Sequence, residues 1–211
     1  MEDRQAETKR PGPSRLRTIE PAPKAPCWNG EAEALGKVGG ELGLVLWKAL
    51  RRVRLWAETE PEQRPDMFPP ATREIQELMA VATTQAPELV EAIGVFAALL
   101  RTPERVDGRQ VGEACSQVYQ WADAQGFSRV AMYFAEAAAA AEPASPARAV
   151  DAGWMCRRVA EGDLLERSVA WYDRAFGLAV RAKDRQEVLR ALTGYGALMK
   201  DMGRHENARV L

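Results

Sequence analysis

Few residues in this 211-residue chain combine a reactive side chain with the spacing that catalysis requires. The single histidine, His205, falls on a predicted turn between helices, and no nucleophile accompanies it. General acid–base or covalent catalysis needs such a partner within hydrogen-bonding reach. We therefore predict a solvated or capping role for His205, and no catalytic residue in the chain.

The three cysteines, Cys27, Cys115 and Cys156, are far apart and do not have the spacing of a metal site. Cys115 and Cys156 lie inside apolar helical runs, where cysteine usually behaves as a small hydrophobic residue. The segment Gly36–Gly40 contains phosphate-loop residues, but not in the GxxxxGK[ST] order, and no apolar strand precedes it. The sequence thus predicts no metal, no cofactor and a reducing compartment.

Two groups of closely spaced carboxylates fall at predicted helix ends and loops, where acids at a helix N-terminus are favourable for dipole reasons. A glycosidase would need two carboxylates facing each other across a cleft, and nothing in the sequence indicates this arrangement. An enzyme completed by another subunit stays as an alternative, which a pocket with a perturbed carboxylate pair would indicate. The two groups are Glu58, Glu60 and Glu62, and Glu161, Asp163 and Glu166.

A basic patch late in the first predicted helix is the best nucleic-acid candidate, because basic residues interleaved with aromatics can grip phosphates and stack bases. Trp47 and Trp56 lie beside it. The alternative places both tryptophans in the core and the basic residues on a solvated face. We favour that alternative, since three glutamates follow directly, and expect no nucleic-acid partner. The patch consists of Lys48, Arg51, Arg52 and Arg54.

Composition is that of an ordinary globular chain, with 46% hydrophobic and 28% charged residues. The formal net charge is −1, so no global field favours nucleic acid or an anionic membrane. No run reaches the roughly 18 apolar residues of a membrane span. The N-terminus has basic residues without a following apolar run, which is not the pattern of a signal peptide. We expect a cytoplasmic protein without a membrane partner.

The chain divides into three parts by composition and periodicity. Residues 1–30 are polar and proline-rich, and we expect a disordered tail. Residues 31–107 form an N-terminal helical segment, with helices predicted over 31–59, 71–85 and 87–101. Glycines in the first half of helix 31–59 predict a bend or a close helix contact there. No stretch alternates with period two, so we expect an all-α fold.

Residues 108–211 contain one helix-pair pattern three times. A glycine break is followed each time by a small residue that opens a second helix, namely Ala131, Ser168 and Ala208. Ser168 follows Ala131 by 37 residues, and Ala208 follows Ser168 by 40. Such a fixed period is typical of stacked helical hairpins. The predicted breaks are Gly126, Pro143–Pro146, Gly162, Lys183-Asp184 and Gly203.

These last hundred residues resemble tetratricopeptide repeats, with a longer period than the usual 34. The pattern places bulky, bulky, small and bulky residues at fixed positions of helix A, and small residues in helix B. Tyr119 departs from it, because a small residue is usual at that position. The matching residues are Leu192, Tyr195, Gly196, Met199, Gly203 and Ala208 in the third copy; Ala152, Met155, Cys156, Val159, Ser168, Tyr172 and Ala175 in the second; and Cys115, Val118, Ala122, Ala131, Ala135 and Ala138 in the first.

The resemblance implies a right-handed superhelix of stacked helical hairpins, a TPR-like α-solenoid, with the N-terminal segment packed on it. It also implies a non-catalytic protein-interaction module, a scaffold or the sensor part of a larger regulator. A peptide or partner helix would bind the concave groove, and the residues do not reproduce a carboxylate clamp. The ligand-facing positions are Glu113, Ser116, Gln120, Asp123, Arg157, Glu161, Arg190, Thr193, Lys200 and Asp201.

The last predicted helix has only a few residues, so Ala208, Val210 and Leu211 would lack a following turn. Because each repeat leaves one apolar face for its neighbour to cover, we expect either that the chain is a fragment or that another chain covers this end. A second copy of the same chain is one such partner.

Overall fold

The computed structural model describes residues 30–68 and 72–204. Every regular element in these two ranges is helical and none is a strand, which confirms the all-α prediction for this part of the chain. Residues 1–29 of the tail predicted over residues 1–30 lie outside the described residues, as do His205 and the predicted final helix near Ala208. Cys27 is among them.

The described residues form α-helices of four to nineteen residues. Three short 3₁₀ turns each begin with proline: Pro61–Gln63, Pro87–Leu89 and Pro103–Arg105. Proline is favourable there because backbone N–H groups in the first turn have no acceptor within the helix, so its lack of an N–H costs no hydrogen bond. The helices are α1 (Glu31–Gly36), α2 (Gly40–Glu58), α3 (Arg64–Met67), α4 (Thr72–Gln85), α5 (Val90–Leu99), α6 (Gly108–Ala124), α7 (Ser128–Ala141), α8 (Pro146–Val159), α9 (Leu164–Ala182) and α10 (Arg185–Asp201).

The single helix predicted over 31–59 is two helices, α1 and α2. Gly39 and Gly40 both adopt positive φ, at 84° and 55°. This conformation costs glycine little and interrupts the helical hydrogen-bond ladder. The bend predicted from the glycines is therefore a full break. The stretch between the helices predicted over 31–59 and 71–85 contains a 3₁₀ turn and the short α3.

Local side-chain chemistry fixes where the later helices begin. Asp107 caps α6, because its Oδ1 accepts a hydrogen bond from the Gln110 amide at 2.7 Å and the Gln110 side chain accepts from the Asp107 amide at 3.1 Å. Asp184 caps α10 by accepting from the Gln186 and Glu187 amides at 3.0 and 3.1 Å. Each cap satisfies backbone donors that the first helical turn leaves without a partner.

The helices of the predicted repeat region pack in chain order. α6 contacts α7, α7 contacts α8, α8 contacts α9 and α9 contacts α10. Tyr172 of α9 packs so closely on Gly194 of α10 that a Cβ there would overlap its ring. The N-terminal helices join the same core, since α2 contacts α7 and α5 contacts α6. None of the described helices has the length and apolarity that a bilayer span requires.

Candidate functional site

Ion pairs connect α6 with α8 along one side of the molecule. Glu113 of α6 pairs with Arg148 of α8, with 2.7 Å between Oε2 and Nη2. About three turns further along α6, Asp123 pairs with Arg158, with 3.3 Å between Oδ1 and Nη2. Both pairs join helices whose residues are more than thirty positions apart in sequence. They therefore connect two helices that are distant in sequence.

A second set of pairs continues from α8 to α10. Asp151 accepts from Arg190, with 3.1 Å between Oδ1 and Nη2. Arg157 donates through Nε to Oδ2 of Asp201 at 2.6 Å. The surface of α6, α8 and α10 that carries these four pairs is called the ladder face below.

Arg148 is the most connected residue of the ladder face. Besides Glu113, it donates through Nε to Glu142 at 3.2 Å and through Nη1 to the hydroxyl of Ser116 at 2.6 Å. Burial disfavours its charge, but the hydrogen bonds to Glu113 and Glu142 outweigh that cost, so the pKa of Arg148 is raised. The guanidinium stays charged and holds three groups in fixed positions.

Asp151 lies at the centre of the ladder face and is shared between helices. Burial raises the pKa of its carboxyl, while Arg190, Arg148 and a hydrogen bond from Tyr119 oppose the shift. Tyr119 comes from α6, and its own pKa is raised by burial and by the Asp151 charge. The tyrosine that departs from the repeat pattern thus links α6 to α8.

The ladder face contains half of the ligand-facing residues that the resemblance implies, and these side chains are engaged with neighbouring helices. Ser116 is only 1% exposed beneath Arg148, so it supports the face from below. Glu161 follows α8 and pairs with Arg129 of α7, away from these pairs. Gln120, Thr193 and Lys200 are exposed on α6 and α10. The five residues in the ladder pairs are Glu113, Asp123, Arg157, Arg190 and Asp201.

Trp154 also lies on this face, although the repeat pattern does not place it among the ligand-facing positions. It is 38% exposed, and the Arg158 guanidinium lies 5.2 Å from its ring centroid. Asp151 and Arg158, three residues before it and four after it, both take part in the ladder pairs. Because this spacing follows one side of a helix, the indole lies among the ladder pairs. The helical spacing of Trp154 from Asp151 and Arg158 is the sequence signal that could have placed it on this face.

The basic patch of α2 is compensated by neighbouring helices. Lys48 lies 3.7 Å from a carboxylate oxygen of Glu77, and Arg52 lies 3.3 Å from Glu74, both on α4. Carboxylates so close reduce the positive potential that a phosphate backbone would meet.

The remaining members of the patch also have intramolecular contacts. Arg54 pairs with Glu31 in a largely buried position, and Arg51 lies 5.1 Å from the ring centroid of Trp47. Trp56 is buried and donates its indole N–H to the Pro103 carbonyl at 3.1 Å. The core assignment of Trp56 is confirmed.

An open cleft of about 490 Å³ lies between α5 and α6, with Glu91, Asp107, Arg109 and Glu113 among its lining residues. Its lining contains no histidine or cysteine. The carboxyls whose pKa burial raises, at Glu31 and Asp151, lie outside it and each has an arginine partner.

Neither described cysteine has the environment of a reactive or metal-binding thiol. Cys115 and Cys156 are fully buried, and burial raises the pKa of both thiols. The described ranges also contain no cluster of three metal-ligating side chains.

Comparison with known proteins returns no relative. No protein-family model, no curated protein and no solved structure matches this chain. The resemblance to tetratricopeptide repeats stays a resemblance of sequence pattern.

Proposed function

We propose that this chain is a non-catalytic protein-interaction module that binds a peptide or a partner helix on the ladder face. In this proposal, α6–α7 and α8–α9 are successive helical hairpins of a right-handed, TPR-like superhelix, and the ladder face is its concave side. The module would serve as a scaffold or as the sensor part of a larger regulator. The packing of these helices in chain order supports that arrangement.

The observation that carries the proposal is an exposed tryptophan among charges that are already paired. Trp154 keeps 38% of its surface in contact with water, although burial of an aromatic side chain is strongly favourable. Residues of this type dominate the binding energy of protein interfaces when a partner covers them. The surrounding ion pairs would form the polar rim that such an anchor needs.

The pairing also defines the ligand that the face would accept. Arg148, Arg157, Arg158 and Arg190 all have carboxylate partners. A free carboxylate of a ligand would have to displace one of these partners, so charge recognition of a C-terminus is not expected. We infer that affinity comes from apolar contact with Trp154 and hydrogen bonds to exposed Gln120 and Thr193.

Selection from a displayed peptide library tests this proposal, followed by affinity measurements with the selected peptides. Trp154→Ala should weaken binding by about 30-fold or more, the effect of a hot-spot truncation. The matched control is Phe176→Ala on α9, which removes an aromatic side chain of similar exposure, 41%, and should change these affinities by less than about twofold. Equal affinity of the selected peptides for the chain and for Trp154→Ala would overturn the proposal.

A further inference from the structure

The ring of Tyr172 contacts both α8 and α10 from α9, a helix that contributes none of the ladder pairs. The side chain is 1% exposed. A Cβ added at Gly153 of α8 would lie 3.3 Å from Cδ1 and Cδ2 of this ring, and a Cβ added at Gly194 of α10 would overlap its outer atoms. The ring therefore occupies the space that a side chain at either glycine would need.

Neighbouring contacts hold this ring in place. Ser168, one turn earlier on α9, donates to the Gly153 carbonyl at 2.7 Å, so α8 is attached to α9 where the ring meets it. Tyr195 of α10 meets the Tyr172 ring edge-on, with 6.5 Å between the ring centroids and 85° between the planes. Because packed protein interiors have low compressibility, the ring acts as a rigid spacer between α8 and α10.

The spacing of α8 and α10 matters to the ladder face because two of its pairs cross between these helices. The N–O distance is 3.1 Å in the pair of Asp151 with Arg190 and 2.6 Å in the pair of Arg157 with Asp201. A Cβ at Gly194 would push α10 from the ring by about 1 Å, the displacement that restores a carbon contact of about 3.5–4.0 Å. Hydrogen bonds have heavy-atom distances up to about 3.2 Å, so both pairs would have to reorient to survive it.

The ring also connects the two ligand contacts proposed for this face. Trp154 follows Gly153 directly on α8, and Thr193 precedes Gly194 directly on α10. Both side chains are exposed, and each belongs to the residue next to a glycine against which Tyr172 packs. The ring therefore governs the distance between the apolar contact and the hydrogen-bonding contact that a ligand would make.

We propose that Tyr172 is a positioning residue that determines the peptide specificity of the ladder face, because it sets the spacing of Trp154 and Thr193 without contacting the ligand. Tyr172 takes this role only if the ladder face has the function proposed above. The ligand is then a peptide whose apolar side chain lies on Trp154 while an amide group reaches the Thr193 hydroxyl. The separation of these two groups in the peptide must match the spacing that the ring imposes.

Selection of displayed peptides on the full chain and on Gly194→Ala tests this role. Peptides selected on the unmodified chain should bind Gly194→Ala about 10-fold or more weakly, since a ligand in contact with Trp154 no longer reaches Thr193. Reselection on Gly194→Ala should yield peptides that prefer the variant. The matched control is Gly196→Ala on the same helix, where an added Cβ meets no atom within 4 Å. It should change the affinities by less than about twofold.

A measurement without ligand follows the spacing itself. Arg157 donates through Nε to Asp201 between α8 and α10, whereas Arg148 donates through Nε to Glu142, a contact that does not involve α10. In a ¹H–¹⁵N correlation spectrum, Gly194→Ala should move the Arg157 Nε–H signal towards that of a solvated arginine and leave the Arg148 signal in place. An Arg157 signal that does not move would overturn the proposal.

A second variant, Tyr172→Leu, keeps the proposal testable if Gly194→Ala does not fold. It removes the ring atoms that meet Gly194, so it should also weaken the selected peptides by about 10-fold. Tyr172→Phe keeps the ring and is the matched control. The hydroxyl that it removes has no hydrogen-bond partner among the described residues, so affinities should stay within about twofold.

The outcomes separate this role from the function on which it depends. Equal weakening of all peptides, without a changed preference on reselection, would mean that the ring only stabilises the fold and would overturn the proposal. If the peptides require Trp154 but bind Gly194→Ala and Tyr172→Leu as they bind the unmodified chain, the role of Tyr172 alone is overturned. If no peptide requires Trp154, the function of the ladder face is overturned together with it.

Discussion

The molecule uses ion pairs in two regions, and their surroundings differ. In the ladder face, the side chains of Arg190 and Asp201 are more than two-fifths exposed. In the pair between α7 and α9, the side chains of Glu136 and Arg167 are 4% and 10% exposed. Water screens the attraction within the exposed ladder pairs much more than the attraction between the buried Glu136 and Arg167. The buried pair therefore fixes the position of α9, whereas the ladder pairs shape a surface that can still accept a partner.

The sharpest test of this difference is Arg167→Ala, which leaves Glu136 buried without its cation. We expect a loss of about 3–5 kcal/mol in the free energy of unfolding, the usual cost of an uncompensated buried charge. Chemical denaturation monitored by circular dichroism measures it. As a control, Glu136→Leu combined with Arg167→Met should recover most of the loss, because well-packed apolar replacements of a buried pair are often neutral. A loss below about 1 kcal/mol for Arg167→Ala would show that α9 does not depend on this pair.

Arg148→Ala should have the next largest effect, since this residue belongs to the ladder but is half-buried and holds three groups. We expect a loss of about 1–3 kcal/mol, because the hydroxyl of buried Ser116 loses its donor. Arg158→Ala, which removes a more exposed ladder arginine, is the matched control and should cost less than about 1 kcal/mol. If the two variants lose the same free energy of unfolding, burial does not determine how much each arginine contributes.

The ladder pair of Arg157 with Asp201, whose side chains are 27% and 44% exposed, should contribute little. A double-mutant cycle with Arg157→Ala and Asp201→Ala should give a coupling energy of about 0.2–1 kcal/mol. That coupling should fall at 1 M salt, where the Debye length is about 3 Å. A coupling energy above about 3 kcal/mol, or one that salt does not change, would show that this pair behaves like the buried pair of Glu136 with Arg167.

The Asp151 side chain is 19% exposed, which lies between the exposed ladder side chains and the buried Glu136. Its partial burial should make the free energy of unfolding depend on pH. Burial raises its pKa in the folded chain, so the folded state holds this proton more tightly than the unfolded state does. The stability of the unmodified chain relative to Asp151→Asn should therefore rise as pH falls through the folded pKa of Asp151. Denaturation of both proteins between pH 7 and pH 4 measures the difference. A relative stability that falls on acidification would mean that Arg190 and Tyr119 outweigh burial.

Local patterns in the sequence predicted the helical class of the described residues and several of the helix boundaries. The breaks at Gly126 and at Lys183-Asp184 could be placed because glycine, and a capping aspartate such as Asp184, act on their own neighbours. The break at Gly39 and Gly40 was underestimated as a bend.

The candidate site could be predicted only in part, because its chemistry depends on partners that are distant in sequence. Counting positions along helix A identified Glu113 and Asp201, but could not show that Arg148 lies over Ser116. The exposure of Trp154 likewise depends on where α6 and α10 lie beside α8. The glutamates that compensate the basic patch of α2 come from α4, which no local pattern connects to it.

The central claim is that a partner covers Trp154, and the indole N–H signals of the six tryptophans test it directly. In a ¹H–¹⁵N correlation spectrum, the Trp154 signal is assigned by its loss in Trp154→Phe. Saturating amounts of a selected peptide should shift the Trp154 signal and leave those of Trp47 and Trp56, on α2, in place. A peptide that binds while the Trp154 signal stays unshifted would contradict the account.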